Sequence, residues 1–205
     1  QRQMCIRDRI DESQIEVNGF EKKKLQFTIA QDNILQLLVD HTLYNDSSVV
    51  VRELVQNGID AVRLQAEFEK INGKSYSNGR VWVEWNSKNR QLSFWDNGTG
   101  MSIYDVENYL LKVGASKYRD DVVKKQFPNF TSISHFGIGI LTCFMIANDI
   151  DIVTSSDEQN EANSINLRKV NGSYLLRKMD KNELDERIKQ HGTMAVSYTH
   201  LRAHE

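Results

Sequence analysis

The segment from Val51 to Val62 repeats its apolar and polar positions with the period of an α-helix. The apolar positions recur at steps of three and four residues, which predicts a stripe that faces a core. They are Val51, Leu54, Val55, Gly58 and Val62. Glu53, Asn57 and Asp60 follow the same period on the opposite side. Because residues four apart lie one above the other on a helix, we expect Glu53 and Asn57 to stack, with Asp60 at their edge.

Periodicity and turn residues predict the elements on either side of this helix. We expect a short strand near Lys24–Ile29 and then a helix within Phe27–Tyr44. The central helix is predicted to begin after the N-capping segment Asn45–Ser48 and to run to about Lys70. Alternating apolar residues then predict a β-hairpin. Its strands are Arg80–Trp85 and Gln91–Trp95.

The second half of the chain mixes helices with short strands. Ser102–Val113 is predicted as a helix whose inward side chains are Val106, Tyr109, Leu110 and Val113. The polar stretch Gly114–Ser134 is long enough to be a functional lid, and an apolar helix follows it to Asn148. The remaining predictions are strands at Asp149–Ser155, Ser164–Arg168, Ser173–Lys178 and His191–Val196, a hairpin turn at Asn171–Gly172, and a charged amphipathic helix at Lys181–Gln190. This order predicts an α+β fold, a two-layer α/β sandwich with a mostly antiparallel sheet covered on one face by helices.

Composition and charge narrow the class of protein. The 205 residues are 40% apolar and 26% charged, which is ordinary for a globular domain. The net charge of −2 and the lack of a basic block argue against nucleic acid as a partner. No apolar run reaches the length of a membrane span, and the polar N-terminus leads us to expect no signal peptide. Cys5 and Cys143 are the only cysteines and lie far apart, which favours a reducing compartment such as the cytoplasm.

Both ends of the chain lack clear periodicity. Residues 1–9 and 197–205 resemble translated adapter sequence, so we expect both to be non-native or disordered tails. The folded domain is then predicted to cover residues 10–196, with the lid at about 114–135. We expect the natural sequence to continue past Val196.

The polar face of the central helix suits two kinds of chemistry. The amide of Asn57 is an oxygen ligand of the kind that Mg²⁺ binds, and the carboxylate of Glu53 can act as a general base for an attacking water. The alternative is a polar face exposed to solvent without a function.

Two glycine-rich segments offer further candidate chemistry. In Asp96–Gly100 the glycines allow a tight turn and a close approach to a ligand, and Asp96 can accept the exocyclic amine of adenine. In Phe136–Gly139, at a helix start, free N–H groups and the helix dipole can bind an anion. The alternatives are an ordinary turn and a loop that only packs. His135 is interpreted as a lid residue, and Gly192–Thr193 carries no signal alone.

The order and spacing of these pieces resemble the ATPase superfamily of gyrase, heat-shock protein 90, histidine kinases and the mismatch-repair protein MutL. The pieces are Glu53-x-x-x-Asn57-x-x-Asp60-Ala61, Asp96-x-Gly98-x-Gly100, Phe136-Gly137-x-Gly139 and Gly192-Thr193. Over about Phe27–Val196 the chain is most similar to the N-terminal domain of heat-shock protein 90 chaperones and their bacterial relatives. The stretches that carry this similarity are Arg52–Ala61, Asp96–Met101 and Phe136–Ala147.

The resemblance implies a Bergerat-type ATP-binding fold and a role for each motif residue. Glu53 would position and activate the hydrolytic water, and Asn57 would coordinate Mg²⁺. Asp96 would bind adenine, with Thr193 nearby through water. The implied nucleotide-binding positions are Asn57, Asp60, Ala61, Asp96, Gly98, Gly100, Met101, Phe136, Gly137, Ile138, Gly139 and Thr193. Three positions depart from the family: Ser134 replaces a glycine, Tyr109 an asparagine and Ala115 a lysine, for which Lys112 or Lys117 could substitute.

The resemblance implies a chaperone N-terminal domain that binds ATP and ADP and slowly hydrolyses ATP with Mg²⁺. It also implies client proteins and a homodimeric full-length form, in which a second domain supplies an arginine to the γ-phosphate. We therefore expect the isolated chain to be a monomer with very slow turnover. The alternatives are a nucleotide-gated interaction module with negligible hydrolysis and a DNA-transacting relative such as MutL or a type II topoisomerase. A histidine kinase fits least, because no phospho-acceptor helix precedes Glu53.

Overall fold

The computed structural model describes residues 48–134, 137, 139–157, 159–168 and 174–199. The strand predicted at Lys24–Ile29 and the helix predicted within Phe27–Tyr44 lie outside these residues. The hairpin turn predicted at Asn171–Gly172, the predicted tail 1–9 and residues 200–205 of the predicted tail 197–205 also lie outside them. Residues 197–199 of that tail belong to the strand Gly192–Thr199, which continues past the predicted domain end at Val196, and only 1% of Ser197 is exposed.

The sheet of the described residues has six strands, and all its pairings are antiparallel. The strands are β1 (Val81–Asn86), β2 (Gln91–Asp96), β3 (Ala147–Ser155), β4 (Glu161–Arg168), β5 (Tyr174–Asp180) and β6 (Gly192–Thr199). Their order across the sheet is β1-β2-β6-β3-β4-β5, so the last strand lies in the middle of the sheet. The predicted hairpin and the predicted α+β fold are confirmed.

The helices are one long helix and several short segments. The α-helices are α1 (Ser48–Ile71), α2 (Ile103–Asp105), α3 (Asp121–Gln126) and α4 (Gly139–Thr142). A π-helical turn, Val106–Leu110, continues α2, and 3₁₀ turns occur at Lys117–Arg119, Cys143–Met145 and Lys181–Glu183. Within the described ranges, no helix is both long enough and apolar enough to cross a lipid bilayer.

Helix α1 packs on one face of the sheet through Leu54 and Gly58. A Cβ at Gly58 would lie 2.6 Å from Cζ of Phe94 in β2, so glycine allows the helix to approach the sheet closely. The apolar stripe differs from the predicted one at its start, because Val50 is fully buried while Val51 is 37% exposed. The stripe therefore runs through residues 50, 54 and 58, which are four apart and share one face.

The predicted helix Ser102–Val113 ends early. Ser102 and Asp105 form a capping box at its start, as helix N-termini commonly do. The N–H of Leu111 then donates to the carbonyl of Val106, five residues earlier, which makes the last turn a π-helix. The helix stops at Leu110. Val113, predicted to face inward, lies in the turn beyond it and is 41% exposed.

The apolar segment after Gly139 is helical only at its beginning. Helix α4 and the 3₁₀ turn end at Met145, and β3 already begins at Ala147, so the prediction of a helix to Asn148 was wrong. A continuous apolar run does not distinguish a buried helix from a buried strand. Ala147 and Ile150 are both fully buried in β3.

The predicted amphipathic helix Lys181–Gln190 is also absent from the structure. A 3₁₀ turn and irregular turns replace it, because Asp180 and Asp185 accept the backbone N–H groups two residues ahead of them at 2.8 and 2.9 Å. Such local bonds compete with helical ones. The segment still buries Leu184 and Ile188, in an apolar cluster with Trp95 of β2.

Candidate functional site

A pocket opens between α1, the end of β2, the start of β6 and the first part of the lid. Eight of the predicted nucleotide-binding positions line it. They are Asn57, Ala61, Asp96, Gly100, Met101, Gly137, Gly139 and Thr193. The pocket therefore brings together residues from all four motifs. Phe136 and Ile138 lie outside the described residues.

Asp96 ends β2, where only 3% of it is exposed. Its Oδ1 accepts the N–H of Gly98 at 2.9 Å. Burial raises the pKa of the Asp96 carboxyl from its ordinary value to about 7, and the hydrogen bond from Gly98 limits this rise. A carboxyl that titrates near neutrality in a pocket is a typical feature of a functional site.

Thr193 lies directly opposite Asp96 in the pairing of β2 with β6. Its hydroxyl is 3.1 Å from the hydroxyl of Thr154 in β3, which also accepts the N–H of Met101 at 2.8 Å. Thr154 was not predicted, since a threonine inside a strand has no distinguishing pattern. These hydroxyl groups join three segments of the site in one hydrogen-bond network.

Gly98 and Gly100 let the turn after β2 approach its neighbours. A Cβ at Gly98 would lie 2.5 Å from Cβ of Ala61, so this glycine allows the turn to rest on α1. The N–H of Thr99 also donates to the carbonyl of Ala61 at 3.2 Å. Gly100 has a φ of +62°, and a Cβ there would be 1.8 Å from the carbonyl oxygen of Ser155. Gly98 thus supports the pocket without lining it.

Gly137 and Gly139 bring the second glycine-rich segment against α1 and the lid. A Cβ at Gly139 would lie 2.3 Å from Nδ2 of Asn57, and a Cβ at Gly137 would lie 2.2 Å from the carbonyl oxygen of Ala115. Gly137 has a φ of +62° and accepts the N–H of Gly114 at 3.1 Å. Helix α4 is a single turn, so its dipole is weaker than the predicted long helix would provide.

Asp60 holds the end of the lid and does not line the pocket. It is fully buried, and its carboxylate accepts the N–H of Ile133 at 2.8 Å, the N–H of Ser134 at 2.8 Å and the hydroxyl of Ser134 at 2.7 Å. Arg63 adds an ion pair to Asp60 and donates to the carbonyl of Thr131 at 3.0 Å. The end of the lid is therefore attached to α1 at Asp60 and Arg63.

The first half of the lid also makes polar contacts. Nζ of Lys117 is 2.8 Å from Oδ2 of Asp105, and both residues line the pocket. The hydroxyl of Tyr109 donates to Asp120 at 2.7 Å, and burial together with this bond raises the pKa of Tyr109. Lys112 is exposed and does not line the pocket. Of the two lysines considered from the sequence, Lys117 is the one at the site.

Glu53 lies one turn before Asn57 on α1, with 9% of it exposed and outside the pocket lining. No group of three His, Cys, Asp or Glu side chains among the described residues could hold a metal ion by itself. A cation at Asn57 would therefore need oxygen atoms from a bound ligand. Asn57 and Gly139 line the same pocket, and the amide oxygen of Asn57 is a ligand type that Mg²⁺ accepts, so the residues present fit this arrangement.

Known proteins support the resemblance drawn from the motifs. Residues 44–193 match the family model described as histidine kinase-, DNA gyrase B- and HSP90-like ATPase. The chain is 28% identical over 151 residues to Chaperone protein HtpG of Coxiella burnetii (strain RSA 331 / Henzerling II), which covers 70% of this chain and 24% of the relative. It is 26% identical over 189 residues to Chaperone protein HtpG of Sulfurovum sp. (strain NBC37-1), which covers 89% of this chain and 28% of the relative.

The match also holds for a third relative, Chaperone protein HtpG of Porphyromonas gingivalis (strain ATCC BAA-308 / W83), at 28% identity over 136 residues. That alignment covers 65% of this chain and 20% of the relative. The chain thus spans about a quarter of the length of these curated relatives. The family predicted from four short motifs is confirmed: the chain belongs to the family of histidine kinase-, DNA gyrase B- and HSP90-like ATPases.

Proposed function

We propose that this chain binds ATP between α1 and the lid, hydrolyses it slowly with Mg²⁺, and is the N-terminal domain of a heat-shock protein 90-like chaperone. The observation that carries the proposal is the convergence of four separate motifs on one pocket. The three relatives, all chaperone proteins by name, support the chaperone part of the proposal.

Asp96 would recognise the base. Adenine presents an exocyclic amine that can donate to a buried carboxylate, whereas guanine presents a carbonyl oxygen at the same edge. Two acceptors facing each other in a buried site leave both groups unsatisfied. The pocket should therefore bind ATP and ADP in preference to GTP, with Thr193 and Thr154 completing the polar contacts beside Asp96.

Asn57 and the segment of Gly137 and Gly139 would hold the phosphate end. The close approach of Gly139 to Asn57 leaves no room for a side chain between the amide and a ligand. When bound, Mg²⁺ would offset the negative charge of the phosphate oxygens. The N–H groups of the glycine-rich segment would donate to the same oxygens, and the ammonium of Lys117, which pairs with Asp105, lines the same pocket.

Glu53 would accept the proton of the attacking water. It lies on the same face of α1 as Asn57, one turn earlier, so its carboxylate would approach a water beside the γ-phosphate once the nucleotide is bound. Catalytic contacts are often loose before the substrate binds. The remaining contribution is positioning and electrostatic stabilisation, as is usual in phosphoryl transfer.

The full-length protein would dimerise and act on client proteins in the cytoplasm, with an arginine from a second domain completing the site. Cys143, a free and fully buried thiol, is compatible with a reducing compartment. The chain alone would then be a slow ATPase, because an arginine finger can contribute about 10³–10⁵-fold in rate.

A nucleotide-gated interaction module is the second candidate. It is favoured by the position of Glu53 outside the pocket lining. Steady-state turnover separates the two functions. We expect Mg²⁺-dependent hydrolysis well below about one per second from the purified chain, lost in Glu53→Gln. Tight ATP binding with no turnover above that of Glu53→Gln would favour the interaction module, and an absence of adenine nucleotide binding would contradict both.

A further inference from the structure

Tyr76 and His191 hydrogen-bond to the backbone of the turn Asp96–Gly98 on the side away from the pocket. Nδ1 of His191 is 2.7 Å from the carbonyl oxygen of Gly98, and only 6% of this residue is exposed. Because a carbonyl oxygen only accepts, the Nδ1 atom must carry the proton. The hydroxyl of Tyr76 donates to the carbonyl of Asn97. The two rings lie 5.8 Å apart at 56°.

Gly98 connects Tyr76 and His191 to Asp96 through two successive peptide groups. The N–H of Gly98, in the Asn97–Gly98 peptide, donates to Oδ1 of Asp96 at 2.9 Å, and the Asn97 carbonyl of the same peptide accepts from Tyr76. The carbonyl of Gly98, in the next peptide, accepts from His191. Tyr76 therefore fixes the peptide that donates to Asp96 directly, and His191 fixes it through the neighbouring peptide.

Asn97 adds a second set of bonds on the side away from the pocket. Its Oδ1 accepts the N–H of Arg80 at 2.7 Å, and its Nδ2 donates to the carbonyl of Asn78 at 2.8 Å. With the Tyr76 hydroxyl on its carbonyl, Asn97 is tied to the segment 76–80. Burial raises the pKa of Tyr76 to about 12, so its hydroxyl remains a donor at neutral pH.

We propose that Tyr76 and His191 are positioning residues for base recognition, which fix the Asp96–Gly98 turn so that the carboxylate of Asp96 meets the exocyclic amine of adenine. Neither residue lines the pocket, so neither is expected to touch the nucleotide. The inference rests on the proposed function and deepens it by naming the residues that set the preference for adenine.

The expected signature is a loss of selectivity between bases. A displaced carboxylate weakens its bond to the amine of adenine and repels the oxygen of guanine less, while the phosphate contacts of Asn57 and Gly139 stay intact. A merely structural role would instead lower the thermal stability of the protein and leave the ratio of ATP to GTP affinity unchanged.

The test measures ATP and GTP affinities of the whole chain by calorimetry, together with thermal unfolding. Tyr76→Phe removes only a hydroxyl, and His191→Phe keeps a ring but removes the donor. His191→Asn restores an N–H donor close to the position of Nδ1. Tyr174→Phe, on an exposed residue of edge strand β5, is the matched control for the tyrosine change.

We expect the ratio of ATP to GTP affinity to fall about fivefold in Tyr76→Phe and about tenfold in His191→Phe, the scale of one lost buried hydrogen bond. His191→Asn should recover most of the ratio, and Tyr174→Phe should leave it unchanged. If His191→Phe does not fold, Tyr76→Phe decides. Parent protein that binds ATP, with the ratio preserved in the variants, would overturn this inference alone. Parent protein that binds no ATP would overturn the proposed function and this inference with it.

Discussion

The carboxylate of Asp60 accepts both the hydroxyl and the backbone N–H of Ser134, at 2.7 and 2.8 Å. This pair joins the middle of α1 to the end of the lid, immediately before the second glycine-rich segment. The resemblance to heat-shock protein 90 chaperones implies a glycine at the position of Ser134, and a glycine could not supply the hydroxyl. The lid of this chain is therefore held to α1 by a side-chain hydrogen bond of Ser134 as well as by backbone hydrogen bonds.

We expect Ser134→Ala to loosen the end of the lid. Losing one hydrogen bond to a charged group costs about 1.5–3 kcal/mol, although the N–H bonds to Asp60 remain. Amide hydrogen exchange at Ile133 and Ser134 should accelerate at least about tenfold through local opening. Ser87→Ala, in the exposed turn between β1 and β2, is the control. Unchanged exchange at both amides would show that the hydroxyl does not hold the lid.

The pKa of Asp96 predicts that ATP binding releases protons. Burial raises this pKa from 3.8 to about 7, and an adenine amine that donates to the carboxylate should lower it again. ATP affinity should therefore increase with pH up to about 7–8 and then level off. Calorimetry in two buffers of different ionisation enthalpy should detect the released protons at pH 7. Asp96→Asn corrects for the protons of the phosphates, and equal release in this variant would exclude Asp96 as the source.

The same pKa predicts how the stability of the unliganded protein depends on pH. The folded state holds the Asp96 proton up to about pH 7, whereas the unfolded state loses it near 3.8. The folded state therefore binds more protons between these values, and the contribution of Asp96 to stability falls as pH rises through this window. Urea unfolding of parent and Asp96→Asn protein at several pH values measures this. The unfolding free energy of the parent should fall relative to that of Asp96→Asn as pH rises from about 4 to 7, and a constant difference would contradict the shift.

Substitutions of Glu53 and of Asn57 should affect ATP hydrolysis and nucleotide binding separately. Glu53→Gln should bind ATP with nearly the parent affinity and hydrolyse it at least about 10²-fold more slowly, the usual scale for a lost general base. Asn57→Ala should instead weaken binding in the presence of Mg²⁺ and lose less when the cation is chelated, since it removes an oxygen ligand. Glu84→Gln, on an exposed residue of β1, is the control for the glutamate change. Parent turnover in Glu53→Gln would exclude Glu53 as the base.

Motif residues of the site were predictable because their chemistry is local. Asp96 ends a strand with alternating apolar residues, and the glycines after it signal a turn, so both position and type of group follow from the sequence. Asp60 was harder. Its spacing from Asn57 placed it correctly on the polar face of α1, but its partners, Ile133 and Ser134, are more than seventy residues away. No local pattern shows which distant backbone covers a carboxylate.

Tyr76 and His191 were missed for the same reason. Tyr76 lies in a segment that reads as a loop by composition, and His191 precedes a strand whose first residues carry no signal alone. Both residues hydrogen-bond to the turn after β2. His191 reaches Gly98 only because β6 pairs with β2 in the folded chain. The helix predicted at Lys181–Gln190 was wrong for a different reason. Leu184 and Ile188 have helical spacing in the sequence, but Asp180 and Asp185 accept nearby backbone N–H groups and form local turns in place of a helix.

Whether Asp96 binds adenine can be measured by calorimetric titration of Mg²⁺–ATP into the parent chain and into Asp96→Asn. The substitution keeps the shape of the side chain, removes its charge and can place an amide donor against the amine of adenine. We expect the parent protein to bind ATP and Asp96→Asn to bind it roughly ten- to a hundredfold more weakly, the scale of one charge-assisted hydrogen bond. Undiminished ATP affinity in Asp96→Asn would contradict the assignment of this pocket as the adenine site.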